Sequence, residues 1–388
     1  MSRGPYAVKV NAEKAGLWKG GGPLLKHIDV ELTERCNNRC AHCYINLPAG
    51  DRGARRRELP ADGVIEVLRE AAGLGALSVR FTGGEPLLRP DFDEIYVAAR
   101  RLGMRVKLYT NACLVTARLA DLFARVPPLE PIEVSVYGMT ETSYDAVCGV
   151  PGSFVRFRRG VALLLERGVR FIVKGTLLPA TRGETAAFEE WAASIPGADG
   201  PPGYVMFLYL RGRRDSAAKN RRIARLRLSP DEGARWLARD RAAYRDGMRE
   251  FVRGFMRPSG ARLFDCGAGE DVTLDAYGTL QPCLTLRHPE VVYDLSCGSL
   301  KHALTEFFPR LRERTATNPE YVNRCARCFL TGLCDQCPAR SWMEHGTLDT
   351  PVEYLCEVAH AQARELGLLC EGERAWEIDD WKERITWI

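Results

Sequence analysis

The sequence predicts an α/β protein: a parallel strand–helix layer in the first half, and a small cysteine-rich α+β module after it. Three observations carry this. Six short apolar runs alternate with amphipathic helical patterns up to residue 210. Polar residues recur on one face of some of those runs. From Cys266 to Cys356 the strands become short and cysteines dense.

The runs are His27–Leu32, Leu77–Phe81, Arg105–Tyr109, Ile132–Val136, Phe171–Leu177 and Tyr204–Leu210. Helices are expected near Ala61–Ala72, Asp91–Leu102, Ala117–Phe123, Phe154–Glu166 and Glu184–Ala193. In the first, Val64, Val67, Leu68 and Ala71 recur at helical spacing. Six such units form either a doubly wound sheet or an incomplete barrel. A fully buried parallel strand is apolar on both faces. Yet Ile132-Glu133-Val134-Ser135-Val136 alternates, and Lys174 and Thr176 share a face. The alternation predicts a wet, ligand-filled interior with helices outside.

Arg211–Arg227 is strongly basic and reads as a solvated linker or helix face. Ser229-Pro230-Asp231-Glu232 predicts a helix start, Ser229 capping and Pro230 in first position. That helix is expected to run towards Phe255 with a break at Gly247. A last helix near Val352–Leu368 precedes a tail whose Trp376, Trp381 and Trp387 read as packing anchors. The expected division is an extension over 1–24, the layer over 25–212, a basic linker and bridging helix over 213–261, the cysteine-rich module over 262–360, and a tail over 361–388.

With 388 residues, 46% apolar and 27% charged, the composition is ordinary globular and argues against a disordered, fibrous or membrane protein. Apolar runs such as Val161–Leu165 are too short to span a bilayer. Met1–Val10 lacks the apolar core of a secretion signal, so a cytoplasmic location is expected. The net charge of +5 does not by itself imply a nucleic-acid partner, and none is expected. In a reducing compartment, 14 cysteines are not expected as disulfides. Ten fall in spaced groups, which points to metal or cluster ligation.

The strongest motif is Cys36-x3-Cys40-x2-Cys43. Three thiolates on one loop can hold three irons of a [4Fe–4S] cube and leave the fourth open. The alternative, part of a zinc knuckle, needs four ligands; no fourth cysteine is near in sequence, although His42 lies within the motif. Next comes Thr82-Gly83-Gly84-Glu85-Pro86. Its glycines let backbone approach a ligand, and Glu85 can accept from an ammonium group. The C-terminal set is Cys266-x11-Gly278-x4-Cys283, then Cys325-x2-Cys328-x5-Cys334-x2-Cys337, then Cys356. Two four-ligand sites nearly fit these seven, and taken alone they also read as a zinc ribbon. Cys113, Cys148 and Cys370 carry no assigned chemistry.

Cys36-x3-Cys40-x2-Cys43 followed by Gly83-Gly84-Glu85-Pro86 resembles the radical S-adenosylmethionine (SAM) enzymes. The resemblance implies a partial, TIM-like (β/α)6 barrel. It also implies a [4Fe–4S] cluster whose open iron is chelated by SAM, and a 5′-deoxyadenosyl radical that abstracts hydrogen from substrate. It places His42 near the adenine, the Gly83, Gly84, Glu85 turn at the amino group, Ser135 at the ribose and Arg156 at the carboxylate, with Asn111 among the SAM contacts. The C-terminal set resembles the SPASM extension, which implies two auxiliary [4Fe–4S] clusters and three clusters in all. Cys266, Cys283 and Cys337 would hold the inner one, completed by Cys297 or open to substrate. Cys325, Cys328, Cys334 and Cys356 would hold the outer one. The family's last pair is usually separated by three residues; here Cys334 and Cys337 are separated by two.

The resemblance implies a maturase of ribosomally made peptides, acting by cross-linking, oxidation, epimerisation or excision. The implied partners are a peptide or protein substrate, a separate leader-binding protein, and a flavodoxin or ferredoxin as electron donor. The arginine-rich Arg52–Arg57, read as a solvated loop, could meet an acidic leader. One alternative is the anaerobic sulfatase-maturing type, which oxidises a Ser or Cys; Leu284 stands where that group has an aspartate. Another is a haem- or small-molecule-modifying relative, whose porphyrin would need a broad basic cavity. A zinc-ribbon RNA-binding protein would leave the Cys36 trio unexplained.

Overall fold

The computed structural model describes residues 24–198, 200–386 and 388. Nearly all of the 1–24 extension, and Trp387, therefore lie outside the described residues. The strands are β1 (His27–Thr33), β2 (Arg35–Cys36), β3 (Leu47–Pro48), β4 (Ser78–Gly83), β5 (Arg105–Thr110), β6 (Ile132–Val136), β7 (Phe171–Thr176), β8 (Gly203–Val205), β9 (Val272–Leu274), β10 (Thr279–Gln281) and β11 (Tyr293–Asp294). Helices between them include α1 (Arg52–Arg57), α2 (Ala61–Gly73), α3 (Phe92–Arg101), α4 (Ala117–Arg125), α5 (Glu141–Cys148), α6 (Ser153–Glu166), α7 (Thr185–Ala193), α8 (Ala217–Leu226), α9 (Pro230–Leu237) and α10 (Arg241–Phe255).

The main sheet has the order β11-β10-β9-β1-β4-β5-β6-β7-β8. From β9 to β8 every neighbouring pair is parallel. The six apolar runs supply β1 and β4–β8 in chain order. A doubly wound sheet reverses its order at a switch point. Uninterrupted order with right-handed crossovers puts the helices on one face, so the sheet is the wall of an open barrel. The outer face is apolar: α2 buries Val64, Val67, Leu68 and Ala71, the residues its periodicity selects. The opposite face is polar, as the alternation predicts. Asp29 on β1 pairs with Arg80 on β4 at 2.5 Å and with His27 at 2.8 Å. Glu133 on β6 lies 3.9 Å from Lys107 on β5 and 3.7 Å from Lys174 on β7.

Four features differ from expectation. The sixth strand stops at Val205; Leu208 and Leu210 leave the sheet and pack with Ile223 and Met343. The long helix breaks before Gly247, at Asp240, whose side chain accepts from the Ala243 amide at 3.0 Å. That cap satisfies an otherwise orphaned donor, whereas a glycine inside an exposed helix costs only about 1 kcal/mol. Arg52–Arg57 is helix α1, capped by Asp51 at 2.8 Å, and not a loop. Lastly, β9 pairs with the free edge of β1, Ile28 opposite Val272. The cysteine-rich module thus extends the barrel sheet. Trp381 stacks on Phe329 at 6.1 Å as an anchor; Trp376 packs against His360 at 5.4 Å and also borders the cysteine cavity described below. Among the described residues no helix is long and apolar enough to cross a membrane.

Candidate active site and cysteine clusters

The Cys36–Cys43 loop leaves the end of β1 and is closed by the β2–β3 pairing, Arg35 opposite Leu47. Cys36 and Cys40 are buried and Cys43 is half-buried. The loop is held on three sides. The Arg39 and Ala41 amides donate to the carbonyls of Cys148 and Val147 at 2.7 and 3.3 Å. Arg35 pairs with Glu58 at 2.7 Å. Arg211, only 1% exposed, donates to the carbonyls of Cys43, Ile45 and Asn46 at 3.3–3.5 Å and pairs with Asp215. Nothing in a basic run marks one arginine as buried; Arg221, Arg222 and Arg225 of the same run are exposed, as the composition suggests.

The Gly83-Gly84-Glu85 turn packs directly on this loop. The Gly84 and Glu85 amides donate to the carbonyls of Thr33 and Arg35 at 2.6 and 2.9 Å. A Cβ on Gly83 would stand 2.2 Å from the Thr33 oxygen, and one on Gly84 2.3 Å from the Arg35 oxygen. Both glycines therefore serve the approach of protein backbone. Gly84→Ala should push Arg35 and Cys36 out of place and lower iron uptake on reconstitution; full iron content would refute that reading. Glu85 is fully buried. Its carboxylate accepts from the Leu87 amide (3.2 Å), Thr110 Oγ1 (2.8 Å) and the Asn111 amide (2.8 Å). Burial raises its pKa to about 7 against these bonds. It ties the turn to the end of β5.

Asn111 Nδ2 donates to Asn37 Oδ1 at 2.9 Å and to Cys36 Sγ at 3.8 Å. The ring of His42 lies 5.6 Å from that of Tyr137. Burial lowers its pKa to about 4, so it is neutral, and its buried Nδ1 has no partner. Ser135 is in register beside Lys174 on the polar face. Arg156 is exposed on the first turn of α6 and donates to Ser153 Oγ at 2.9 Å, which itself reaches Asn38 Oδ1 at 3.2 Å. His42, Glu85, Asn111 and Arg156 are thus all linked to the cysteine loop or its immediate contacts, with Ser135 on the adjoining wall.

These residues fit a cluster. Three neighbouring thiols are supplied with N–H donors from Asn38 (3.4 Å) and Asn111 to Cys36 sulfur, the kind of contact that tunes an iron–sulfur centre. Burial, then Glu85 and the other two thiols, push the Cys36 thiol up; for Cys40 the adjacent Cys148 thiol contributes most, followed by burial. Such thiols keep their protons until iron displaces them.

The C-terminal cysteines gather around a cavity of about 210 Å³ lined by Cys266, Cys325, Cys328, Cys334, Cys337 and Cys356. Two neighbourhoods appear. Burial and then Cys283 raise the Cys266 thiol, and Cys283 also acts on Cys337. Burial and, after it, the neighbouring Cys356 raise Cys325 to about 12 and Cys328 to about 11; Cys334 feels Cys325, Cys328 and Cys356. Cys297 is not brought to either group. It is exposed, after β11, and the register Leu280 opposite Tyr293 sends Cys283 and Cys297 to opposite ends of the β10–β11 pair. Among the described residues no three His, Cys, Asp or Glu side chains are gathered to hold a single metal ion.

A buried ionic cluster joins the two cysteine regions, and sequence reasoning missed it. Arg287, four residues after Cys283, pairs with Glu31 at 2.5 Å and Glu34 at 3.2 Å. Arg213 pairs with Glu34 at 2.5 Å and Asp275 at 3.1 Å, and the Tyr277 hydroxyl donates to Glu34 at 2.9 Å. Acidic residues within an apolar strand were the available signal; their partners lie some 180 to 250 positions away.

Residues 30–193, which include the cysteine loop, the Gly-Gly-Glu turn and Arg156, match the family model described as Radical SAM superfamily. The chain carries a radical SAM domain. It is an enzyme, and the superfamily implies SAM and a [4Fe–4S] cluster as its cofactors. An AdoMet-dependent heme synthase of Oleidesulfovibrio alaskensis is 24% identical over 84% of this chain and 86% of its own length. A PqqA peptide cyclase of Xanthomonas axonopodis pv. citri is 30% identical over 38% of this chain and 39% of its own. Among solved structures, Streptococcus suis SuiB bound to precursor peptide SuiA is similar in fold, with a TM-score of 0.58 at 16% identity over 84% of this chain and 74% of that one. Native anSMEcpe with bound AdoMet gives 0.57 at 16% identity over 87% of this chain and 96% of that one.

Proposed function

We propose that this radical SAM enzyme modifies a peptide, maturing a ribosomally made precursor, and that its C-terminal cysteines hold two auxiliary [4Fe–4S] clusters. One-electron cleavage of a sulfonium and hydrogen-atom abstraction from substrate are the chemistry that SAM and its cluster supply when bound. Cys36, Cys40 and Cys43 would hold that cluster. His42 would face the adenine, the Gly83-Gly84-Glu85 turn the amino group, Ser135 the ribose and Arg156 the carboxylate, while Asn111 steadies the loop. Cys266, Cys283 and Cys337 would hold the inner auxiliary cluster, with its fourth position open to substrate, and Cys325, Cys328, Cys334 and Cys356 the outer one.

The observation that carries the peptide reading is charge pairing inside the barrel. Arg80 is matched by Asp29, Arg213 and Arg287 by Glu34, Asp275 and Glu31, and Lys107 and Lys174 by Glu133. A porphyrin polycarboxylate would need spare cations there, whereas a peptide segment suits a mixed, neutralised wall. The likeness to SuiB and the PqqA peptide cyclase supports the same reading. A haem-type small-molecule substrate is the second reading, favoured by the longer span shared with the heme synthases. The test is anaerobic incubation with SAM, reductant, and either a short precursor encoded beside this gene or a coproporphyrin. A SAM-dependent mass change in the peptide is expected; porphyrin decarboxylation with the peptide unchanged would overturn the proposal.

A further inference from the structure

Residues 211–262 contain sixteen Lys and Arg against six Asp and Glu, a net charge of +10, so the remaining chain is −5. The first helix of this segment, α8, lies against the outside of the Cys36–Cys43 loop. Its buried Ile223 shares an apolar cluster with Tyr44, the residue after Cys43. Lys219 Nζ donates to the Asn46 carbonyl at 3.3 Å. Arg211, just before the helix, holds the Cys43 carbonyl at 3.3 Å. Arg221, Arg222 and Arg225 are exposed. A partner resting on these arginines would be about one helix diameter, roughly 10–12 Å, from the loop that bears Cys43.

We propose that the exposed arginines of α8 are the docking surface for an acidic one-electron carrier protein, seated about one helix diameter from the loop that bears Cys43. This rests on the radical SAM reading, in which each sulfonium cleavage consumes one electron delivered from outside; the carrier is oxidised by one electron and the cluster is reduced by one. Charge complementarity selects the occupant. Arg221, Arg222 and Arg225 are exposed on one helix and pair with no carboxylate among the described residues, a local positive charge that steers an anionic protein to that helix. Apolar anchoring is not required of such short-lived encounters.

The probe is an acidic flavodoxin, and the protein is the reconstituted full chain. Binding would be measured at low and high salt for the unmodified enzyme, for Arg221→Glu/Arg222→Glu/Arg225→Glu, and for Arg55→Glu/Arg56→Glu on α1 as a charge control elsewhere. The α8 variant should bind roughly tenfold or more weakly, with a flatter salt dependence, and the α1 variant much as the unmodified enzyme. SAM cleavage driven by flavodoxin should fall in the α8 variant, while cleavage driven by dithionite stays unchanged. Equal flavodoxin binding by the α8 variant and the unmodified enzyme would overturn the proposal. So would retained flavodoxin binding with loss of an acidic leader peptide or of RNA from the same face. If dithionite drives no SAM cleavage in any of the three proteins, the functional reading fails, and the binding comparison still decides the surface.

Discussion

Cys40→Ala is expected to abolish SAM cleavage and remove about four irons per chain, while the C-terminal centres stay loaded. Cys40 is central in the loop: it is 9% exposed, lies among Cys36, Cys43, Cys148 and Tyr137, and is flanked by amides bonded to the end of α5. Alanine leaves that backbone anchored, so the loop keeps its course while losing one of three iron ligands. The C-terminal cysteines hang on separate elements, Cys266 before β9 and the others after it, and should fill independently. Assays are iron and sulfide content and 5′-deoxyadenosine release. Unchanged cleavage would remove Cys40 from the ligand set.

Arg287→Met is expected to destabilise the protein by about 3–5 kcal/mol at neutral pH, read as earlier unfolding in urea, because it leaves buried carboxylates uncompensated. Glu31 is 0% and Glu34 1% exposed. The loss should depend on pH in a defined direction. Burial already raises Glu31 to about 7, and Arg287 is the group opposing it. A carboxyl raised in the folded state contributes stability fully present below its unfolded pKa and lost as pH rises through the folded value. Without Arg287 the carboxyl moves higher still. The deficit should therefore be largest above pH 7 and shrink towards pH 5, where Glu31 is protonated in the fold. A deficit that grows on acidification would contradict this account. Arg287→Lys should recover part of the loss, since it restores the charge without the two-sided geometry.

The barrel was legible because its signals are local. Apolar periodicity fixed α2 and the strand starts, and alternation in Ile132–Val136 marked the polar interior. Spacing marked the cysteines as ligand candidates, and their division into two sets was what the family resemblance implied. What escaped was long-range. No local pattern shows that Val272–Leu274 joins the edge of His27–Thr33, since three apolar-flanked residues serve any short strand. Arg211 looks like its solvated neighbours because its burial is decided by the carbonyls of a loop 165 residues earlier. Gly83 and Gly84 read as ligand-facing, yet it is the backbone of Thr33 and Arg35 that needs their missing side chains. Cys297 has the right chemistry and the wrong end of its hairpin.

The most direct test of the account is iron, acid-labile sulfide and zinc per chain after anaerobic reconstitution. Three cubane centres predict about twelve irons and as many sulfides, with negligible zinc. About four irons with stoichiometric zinc would contradict it: the radical SAM centre would stand, and the cysteines around the 210 Å³ cavity would be a structural zinc module instead of two further clusters.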